Sequence, residues 1–448
     1  MAKGSNKTSI LASEDKRFIK RVGIFLFIFL LASGAIWYFY YEKRNQIGAL
    51  QKLDGLLNIG SDSLAAETSK DSIAEVFGFD DIPDIPDIPD VPDVETFQSK
   101  TSKPDIGPLD DFDEQAHLQL MRINVKEYNY KQAYKHGFRI ESYLLAKSKL
   151  SAEWGSVLLE AGLPTEANSL LQNLKSKDSI KGESIIDLAF AMHRSKFSDE
   201  AISYLDSLLI DKNDVDLIAV KASIIGDHSD TTKRSGADQV FKLALKINQN
   251  SHRANYLYGR YLMQKGDFKS SKTHLELALK ENSSDPRYVA RLGMADFYLK
   301  NDSNAETLYK KALQINPYDY NTWFNLGELY LSQANEATYS SDMRKKVHQA
   351  LEAYLKAVEQ EPMHSNAHFR IGVILNGNAE RTEAIKHLYI ALEQMPRNIS
   401  IMQQLSSAHM HLQDTAKSLE FLEKILQIDP FNKIAATEYN RIKKNERN

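Results

Sequence analysis

The stretch from Pro286 to Asp319, PRYVARLGMADFYLKNDSNAETLYKKALQINPYD, decides the fold because its pattern returns at intervals of 34 residues. The same interval separates three glycines and three prolines elsewhere in the chain: Gly259, Gly293, Gly327, Pro362, Pro396 and Pro430. A repeat of this length is typical of a helical solenoid, in which each unit buries its apolar face only against its neighbours.

Each repeat unit is predicted to contain two helices. In the quoted unit, one helix carries Val289, Leu292, Gly293 and Phe297, and a second carries Ala305, Tyr309 and Ala312. Gly and Ala suit positions where paired helices come closest, and the larger apolar residues fill the space between them. The Asn316-Pro317 step closes the unit because proline cannot continue a helix.

The next unit shows which family this pattern resembles. It carries Trp323, Leu326, Gly327 and Tyr330, followed by Ala350, Tyr354, Ala357 and Pro362. This resembles the tetratricopeptide repeat, whose pattern is Trp-x2-Leu-Gly-x2-Tyr, then Ala, an aromatic residue, Ala and Pro. The resemblance implies an all-α superhelical solenoid that binds protein segments and seldom catalyses a reaction.

The repeat register extends over most of the chain. A small residue near the start of the second helix recurs at Ala133, Ala167, Ala201, Ala237, Ser271, Ala305, Ala350, Ala384 and Ser418. Two intervals are longer, by two residues before Ala237 and by eleven before Ala350. We therefore predict a solenoid of eight or nine helix pairs over residues 113–432, with a capping helix over 433–448. The longer insertion, residues 332–347, either lengthens two facing helices or forms an edge loop.

A membrane segment is predicted near the N-terminus. Residues 22–41 form a run of twenty uncharged residues, long enough to span about 30 Å as a helix. Six basic residues lie in the tail at 1–21 and three follow the segment by residue 52, which favours a cytoplasmic N-terminus and an extracytoplasmic solenoid, periplasmic in a bacterium. The alternative is a cleaved signal peptide ending near Ala32-Ser33-Gly34.

An acidic, proline-rich linker is predicted over residues 42–112. Residues 45–115 hold 17 Asp and Glu against 4 Lys and Arg, and their centre repeats Ile-Pro-Asp from Ile82 to Asp93. Proline at every third position favours polyproline II, which aligns the aspartates along one edge. The aspartates are too widely spaced for one calcium ion. This segment is either a self-repelling spacer or a ligand for a partner or for the chain's own groove.

The family resemblance implies that the first helix of each pair lines a concave groove that binds extended peptides. The repeat register places ten candidate binding residues there: Tyr256, Arg260, Arg287, Arg291, Asn321, Phe324, Asn325, Asn366, Phe369 and Arg370. Asn side chains pair with a peptide backbone and Arg with carboxylates, so we expect an extended acidic or C-terminal segment as ligand. Asn325 and Arg370 match part of the carboxylate clamp of some relatives, but Ala290 and Met294 stand where that clamp needs Lys and Asn.

Several function classes are disfavoured by the sequence. It has no cysteine, glycine-rich phosphate loop or nucleophile elbow, and its twelve histidines are scattered. Residues 116–448 carry a net charge of only about +4, which gives no nucleic-acid footprint. We expect no catalytic residues, cofactor or metal.

The predicted function is therefore that of a membrane-anchored scaffold that binds a polypeptide during export, folding or envelope assembly. Two alternatives stay open at this stage. One is a cytoplasm-facing receptor for chaperone or cargo proteins. The other is a regulatory subunit of a membrane enzyme or secretion complex.

Overall fold

The described part of the chain is entirely helical. A computed structural model describes residues 111–177, 179–210, 212–337 and 340–445. Within these ranges it contains twenty α-helices, one short 3₁₀-helix at Thr231–Arg234 and no strand. The α-helices are α1 Asp111–Lys126, α2 Tyr130–Arg139, α3 Glu141–Leu145, α4 Ser148–Glu160, α5 Pro164–Ser176, α6 Glu183–Arg194, α7 Ser198–Leu209, α8 Val215–Gly226, α9 Ala237–Ile247, α10 His252–Gln264, α11 Phe268–Glu281, α12 Pro286–Tyr298, α13 Asp302–Ile315, α14 Tyr320–Glu336, α15 Ser340–Gln360, α16 Ser365–Gly377, α17 Arg381–Gln394, α18 Ile399–His411, α19 Thr415–Ile428 and α20 Lys433–Asn445.

The predicted basic tail, membrane segment and nearly all of the acidic linker lie outside the described residues. None of the helices that the structure describes is both long and apolar enough to cross a membrane.

The helices form nine consecutive pairs, beginning with α1–α2 and α4–α5 and ending with α18–α19. The five-residue helix α3 is an extra turn after the first pair, and α20 packs on the last pair. Each helix packs mainly on the next helix in the chain, and the first helices of most neighbouring pairs contact one another more extensively than the second helices do. Because the first helices lie closer together, the stack curves with those helices on its concave side.

Small residues set the distance between the two helices of each pair. The small residue predicted near the start of the second helix is buried in all nine pairs, and eight of the nine are fully buried, with Ser418 1% exposed. A Cβ atom on Gly327 of α14 would lie 2.5 Å from Cε1 of Tyr354 on α15. The close approach predicted at the repeated glycine is therefore present in the packing of the helices.

The turn between the two helices of a pair has the same backbone geometry in seven of the nine pairs. One residue with positive φ stands at the same repeat position in each of them: Tyr128, Gly162, Lys196, Gly266, Lys300, Ala379 and Gln413. Only two of these seven are glycines, so the turn geometry is imposed by the flanking helices rather than by residue type. The two pairs without it, α8–α9 and α14–α15, are those that contain the irregular intervals of the sequence.

The eleven-residue insertion lengthens two facing helices. Helix α14 has 17 residues and α15 has 21, whereas α12 and α13 of the preceding pair have 13 and 14. The four and seven extra residues account for the whole insertion. The prediction that the insertion lengthens two facing helices is therefore confirmed, and the prediction of an edge loop is wrong.

Candidate protein-binding groove

The concave groove carries different chemistry in different pairs at a single repeat position. Asp187, Arg291, Asn325 and Arg370 occupy that position on α6, α12, α14 and α16. All four are half-buried. The groove is therefore not a uniform surface, and a ligand running along it would meet acidic, basic and amide side chains in turn.

Arg370 is held by a carboxylate from the neighbouring pair. Its Nε and Nη2 atoms each donate to Glu328 at 2.8 Å, one to each carboxylate oxygen, and the Tyr354 hydroxyl donates to the same carboxylate at 2.5 Å. Both members of the pair are mostly buried, with 12% of the Arg370 side chain and 16% of the Glu328 side chain exposed. Burial disfavours the charged form of Arg370, but Glu328 outweighs this effect and raises the pKa of the guanidinium.

Two other predicted arginines also have partners within the chain. Arg260 pairs with Asp227 and donates to the Ser223 hydroxyl at 2.8 Å. Arg287 pairs with Asp285, its neighbour in the chain, at 2.8 Å. A ligand carboxylate would have to compete with the chain's own carboxylates at these positions.

Three predicted polar residues have no such partner. The Arg291 guanidinium donates to the Met294 sulfur at 3.6 Å. Asn325 and Asn366 are half-buried, and their side chains form no hydrogen bond with any residue that the structure describes. These three side chains are the polar groups best placed to receive a ligand. Asn321 lies in the first turn of α14, where its backbone N–H donates to the capping residue Asp319 at 3.1 Å.

The predicted aromatic residues fall into two groups. Tyr256 stacks on Tyr288 with ring centroids 4.3 Å apart, and Phe324 lies 5.0 Å from the ring of His364. Phe369 packs partly against the hydrophobic core formed by the last two pairs. Tyr256 and Phe324 thus offer half-buried apolar surface along the first helices, and parts of Tyr256 and Phe369 also belong to the core packing.

Charge is segregated along the groove. The first helices of pairs two to four (α4, α6 and α8) carry five carboxylates and three basic side chains, whereas those of pairs five to eight (α10, α12, α14 and α16) carry five arginines and three carboxylates. On the acidic side, burial raises the pKa of Asp187 to about 6, although its carboxylate accepts a hydrogen bond from Ser156, and Glu160 nearby adds to the rise. The two halves of the groove are electrostatically complementary to each other.

Two histidines at the start of α16 serve in capping and packing. His364 caps α16 by accepting from the backbone N–H of Ala367 at 3.0 Å. His368 is 4% exposed and contacts His387 through their Nδ1 atoms at 2.8 Å. In the described ranges, no group of three or more His, Cys, Asp or Glu residues is arranged to hold a metal ion.

A cleft of about 580 Å³ lies outside the groove, against the second helices α5 and α7. Its lining includes Lys175, whose ammonium group lies 4.0 Å from the centre of the Tyr204 ring. This cation–π contact fills part of the cleft, and we do not assign the cleft a ligand.

The sequence placed Glu328 among the inward positions but did not single out Asp187 or Glu160. Asp187 could have been found by stepping back from Arg291 along the repeat register. Glu160 could not have been found from the register, because it was recognised only through its contact with Arg287 at 3.8 Å, a residue 127 positions away in the chain.

Family comparisons agree with this geometry. Three models of the tetratricopeptide repeat match residues 256–320, 308–352 and 399–432. The chain belongs to the tetratricopeptide-repeat superfamily. The predicted family and the all-helical solenoid are thus confirmed, and members of this superfamily are in general non-enzymatic interaction scaffolds.

Similar proteins of known sequence share only part of this tetratricopeptide-repeat chain. Human Superkiller complex protein 3 is 24% identical over 140 residues, which is 29% of this chain and 8% of that protein. The human protein O-mannosyl-transferase TMTC3 is 22% identical over 197 residues, 43% of this chain and 20% of that protein. The chain thus spans no more than a fifth of the length of these two relatives.

Solved structures share the fold. The Cut9–Hcn1 hetero-tetramer of the APC/C is similar with a TM-score of 0.52 and 14% identity, covering 74% of this chain and 63% of that one. YrrB, a tetratricopeptide-repeat protein described as having an unusual peptide-binding site, has a TM-score of 0.36 and 20% identity over 45% of this chain and 97% of that one.

Proposed function

We propose that this protein is a scaffold that binds an extended polypeptide along the concave groove of its solenoid. The observation that carries the proposal is the set of half-buried polar side chains without a carboxylate partner on consecutive first helices, namely Arg291, Asn325 and Asn366. Amide side chains can pair with the backbone of an extended peptide, and Tyr256 and Phe324 supply apolar contact surface beside them. No reaction is required of such a site.

The binding test uses site-specific photocross-linking in cells that express the protein. A photoreactive amino acid at Phe324 should give a polypeptide adduct, and Arg291→Ala with Asn366→Ala should abolish it. The matched control is Lys311→Ala with Gln314→Ala, two exposed residues of the second helix α13, which should leave the adduct unchanged. Loss of the adduct only in the control variant would place the interaction outside the groove.

We also propose that a single N-terminal membrane helix over residues 22–41 anchors the solenoid on the extracytoplasmic side, where it assists export, folding or envelope assembly. The proposal is supported by the length of the apolar run and by the excess of basic residues before it. Ser102→Cys introduces the sole cysteine of the chain, which a membrane-impermeant maleimide should label in intact cells. Labelling only after lysis would contradict this orientation and favour a cytoplasm-facing receptor.

A further inference from the structure

Contacts between pairs that are distant in sequence close the superhelix on itself. Lys131, in the first turn of α2, lies 2.7 Å from a carboxylate oxygen of Glu361, which follows α15. The same ammonium group donates to the backbone carbonyl of Gln360 at 2.7 Å. The first pair of the solenoid is thus tied to the end of the seventh.

A second contact lies one pair inward at both ends, between the second pair and the sixth. Glu160, the last residue of α4, lies 3.8 Å from Arg287 in the first turn of α12. Tyr130 is half-buried beside this contact, and burial together with the Glu160 carboxylate raises the pKa of its hydroxyl. We call Lys131–Glu361 and Arg287–Glu160 the closing pairs.

The closing pairs are polar and accessible to water, unlike the packing within and between neighbouring pairs. The exposed fractions are 47% for Lys131 and 20% for Glu361, and 56% for Arg287 and 37% for Glu160. Ion pairs of this kind are weak and are screened by salt. An arrangement held by a few such contacts can open without unfolding any helix pair.

One closing pair also occupies a basic group of the predicted ligand path. Arg287 is one of the ten predicted binding residues; besides Asp285 at 2.8 Å, it meets Glu160 from the acidic half of the groove at 3.8 Å. Arg253 on α10 is engaged in the same way, with Glu183 at 2.8 Å and Asp216 at 3.1 Å. The carboxylates of pairs two to four therefore stand where the carboxylates of an acidic ligand would bind.

We propose that the closing pairs hold the groove shut and that an acidic, extended polypeptide opens it by replacing Glu361 beside Lys131 and Glu160 beside Arg287. The inference rests on the proposed function, because it describes how the same groove is gated. Because only open molecules bind the ligand, the apparent affinity falls in proportion to the fraction of molecules that are open. Removing the internal carboxylates raises that fraction and therefore strengthens binding of an acidic ligand. Removing the basic partners weakens it.

Closure is measured first, without any ligand. The full chain in detergent contains no cysteine, so Lys135→Cys and Glu359→Cys, both exposed, accept a donor and acceptor dye. Energy transfer should fall as ionic strength rises, and Lys131→Glu should lower it at low salt. Glu361→Lys added to Lys131→Glu restores the opposite charges and should restore transfer.

The control for this measurement is Lys386→Glu. This exposed lysine pairs with Glu383 of the same helix at 2.5 Å, so the substitution makes the same charge change without touching a closing pair. Transfer should stay at the value of the unmodified sequence. If Lys131→Glu and Lys386→Glu give equal transfer, the closing pairs do not hold the groove shut and the inference fails, whereas the groove cross-linking test of the proposed function is unaffected.

Binding is measured second, with a fluorescent peptide of residues 82–93, IPDIPDIPDVPD, as the acidic probe and its Asp→Asn version as the neutral control. The full chain carries Asn at 84, 87, 90 and 93 so that its own segment does not compete. Glu160→Gln with Glu361→Gln should lower the Kd of the acidic probe by several-fold, and Arg287→Gln should raise it. If both variants weaken binding, or if the neutral peptide binds equally well, then an acidic ligand does not replace Glu160 and Glu361. That result would refute this part of the inference even where closure itself is observed.

Discussion

At the scale of single residues, the structure is decided by which positions have no room for a side chain. Five of the nine first helices carry the repeated glycine, which faces a bulky residue of the second helix, and the fit differs from pair to pair. A Cβ atom on Gly327 would lie within 3 Å of three ring atoms of Tyr354, whereas one on Gly293 would approach Tyr309 only to 3.1 Å. Two glycines in the same register are therefore not equally constrained.

Gly327→Ala is expected to destabilise the fold by about 1–3 kcal/mol, because Tyr354 is fully buried and cannot move away. Gly293→Ala serves as the matched variant, and its small clash is offset by the roughly 1 kcal/mol by which Ala favours a helix over Gly. Urea unfolding followed by far-ultraviolet circular dichroism should show a lower midpoint for Gly327→Ala alone. Equal midpoints would contradict this account of the close approach.

At the scale of helices, one polar contact joins the two members of a pair at a fixed spacing of 19 residues. It is formed by His117 with His136, by Asn255 with His274, and by His368 with His387, at 2.8–2.9 Å. In the third case the Nε2–H of His368 donates to the carbonyl of Pro362 at 2.9 Å, which leaves its Nδ1 to accept from His387. This arrangement requires Nδ1 of His368 to be unprotonated, and it is broken if both rings become charged, so the pairing of α16 with α17 depends on pH.

Stability should therefore decrease as the pH falls from about 6.5 to about 4. Burial, reinforced by His368, lowers the pKa of His387 to about 4, so the unfolded chain binds more protons than the folded chain in this window. The loss attributable to His387 is on the order of 1–3 kcal/mol. His387→Gln should reduce the difference between the urea midpoints at the two ends of this window. The control is His411→Gln, an exposed residue, and an equal reduction in both variants would exclude the buried pair as the cause.

Neighbouring pairs are also coupled by a buried carboxylate. Asp296 on α12 is fully buried and accepts from Lys272 on α11 at 2.6 Å and from Asn301 at 2.9 Å. Asp296→Ala should cost roughly 1–3 kcal/mol, since it removes the buried acceptor that holds Lys272 and Asn301. In a solenoid, a weakened interface also reduces cooperativity, so we expect a broader urea transition. Asp302→Ala, at a half-buried carboxylate of the next helix, is the comparison, and a transition of unchanged width in Asp296→Ala would argue against coupling.

At the scale of the whole molecule, a stack of repeats has two ends that lack a neighbour. Helix α20 covers the C-terminal end by burying Ala435 and Ile442 against the core of the last pairs, which includes Leu422 and Ile425. Its other face is polar or exposed, as expected for a helix that ends a solenoid. The closing pairs also act on the whole molecule, because each joins helix pairs that are not neighbours in the chain.

Ile442→Asp should detach the capping helix. Ile442 is 3% exposed, and placing an unpaired carboxylate there costs about 2–4 kcal/mol, enough to unfold the last pair locally. Hydrogen exchange should show faster exchange in α19 and α20 and little change in α12. Ile434→Asp makes the same change at a 53% exposed position of the same helix and should behave like the unmodified sequence. Uniform loss of protection throughout the solenoid in Ile442→Asp would mean that the end does not unfold separately.

Sequence alone determined the fold family, the register of the repeats and the buried small residues, because each of these is a local pattern that recurs with a fixed period. The small residue near the start of the second helix recurs in all nine units and the glycine and proline in several, and agreement among many units makes the pattern unambiguous. The ten groove residues follow from that register and the family resemblance, and three of them, Arg291, Asn325 and Asn366, lie half-buried without a carboxylate partner.

Tertiary structure alone decided which charges are already satisfied. Lys131 meets Glu361 across 230 residues and Arg287 meets Glu160 across 127, separations in sequence that no periodic pattern encodes. Such contacts depend on the curvature of the stack, which accumulates from small rotations at every interface, including the two pairs with irregular intervals. The physical reason is that a repeat specifies how each unit meets its neighbour, whereas the closing of the superhelix depends on the sum of all these steps.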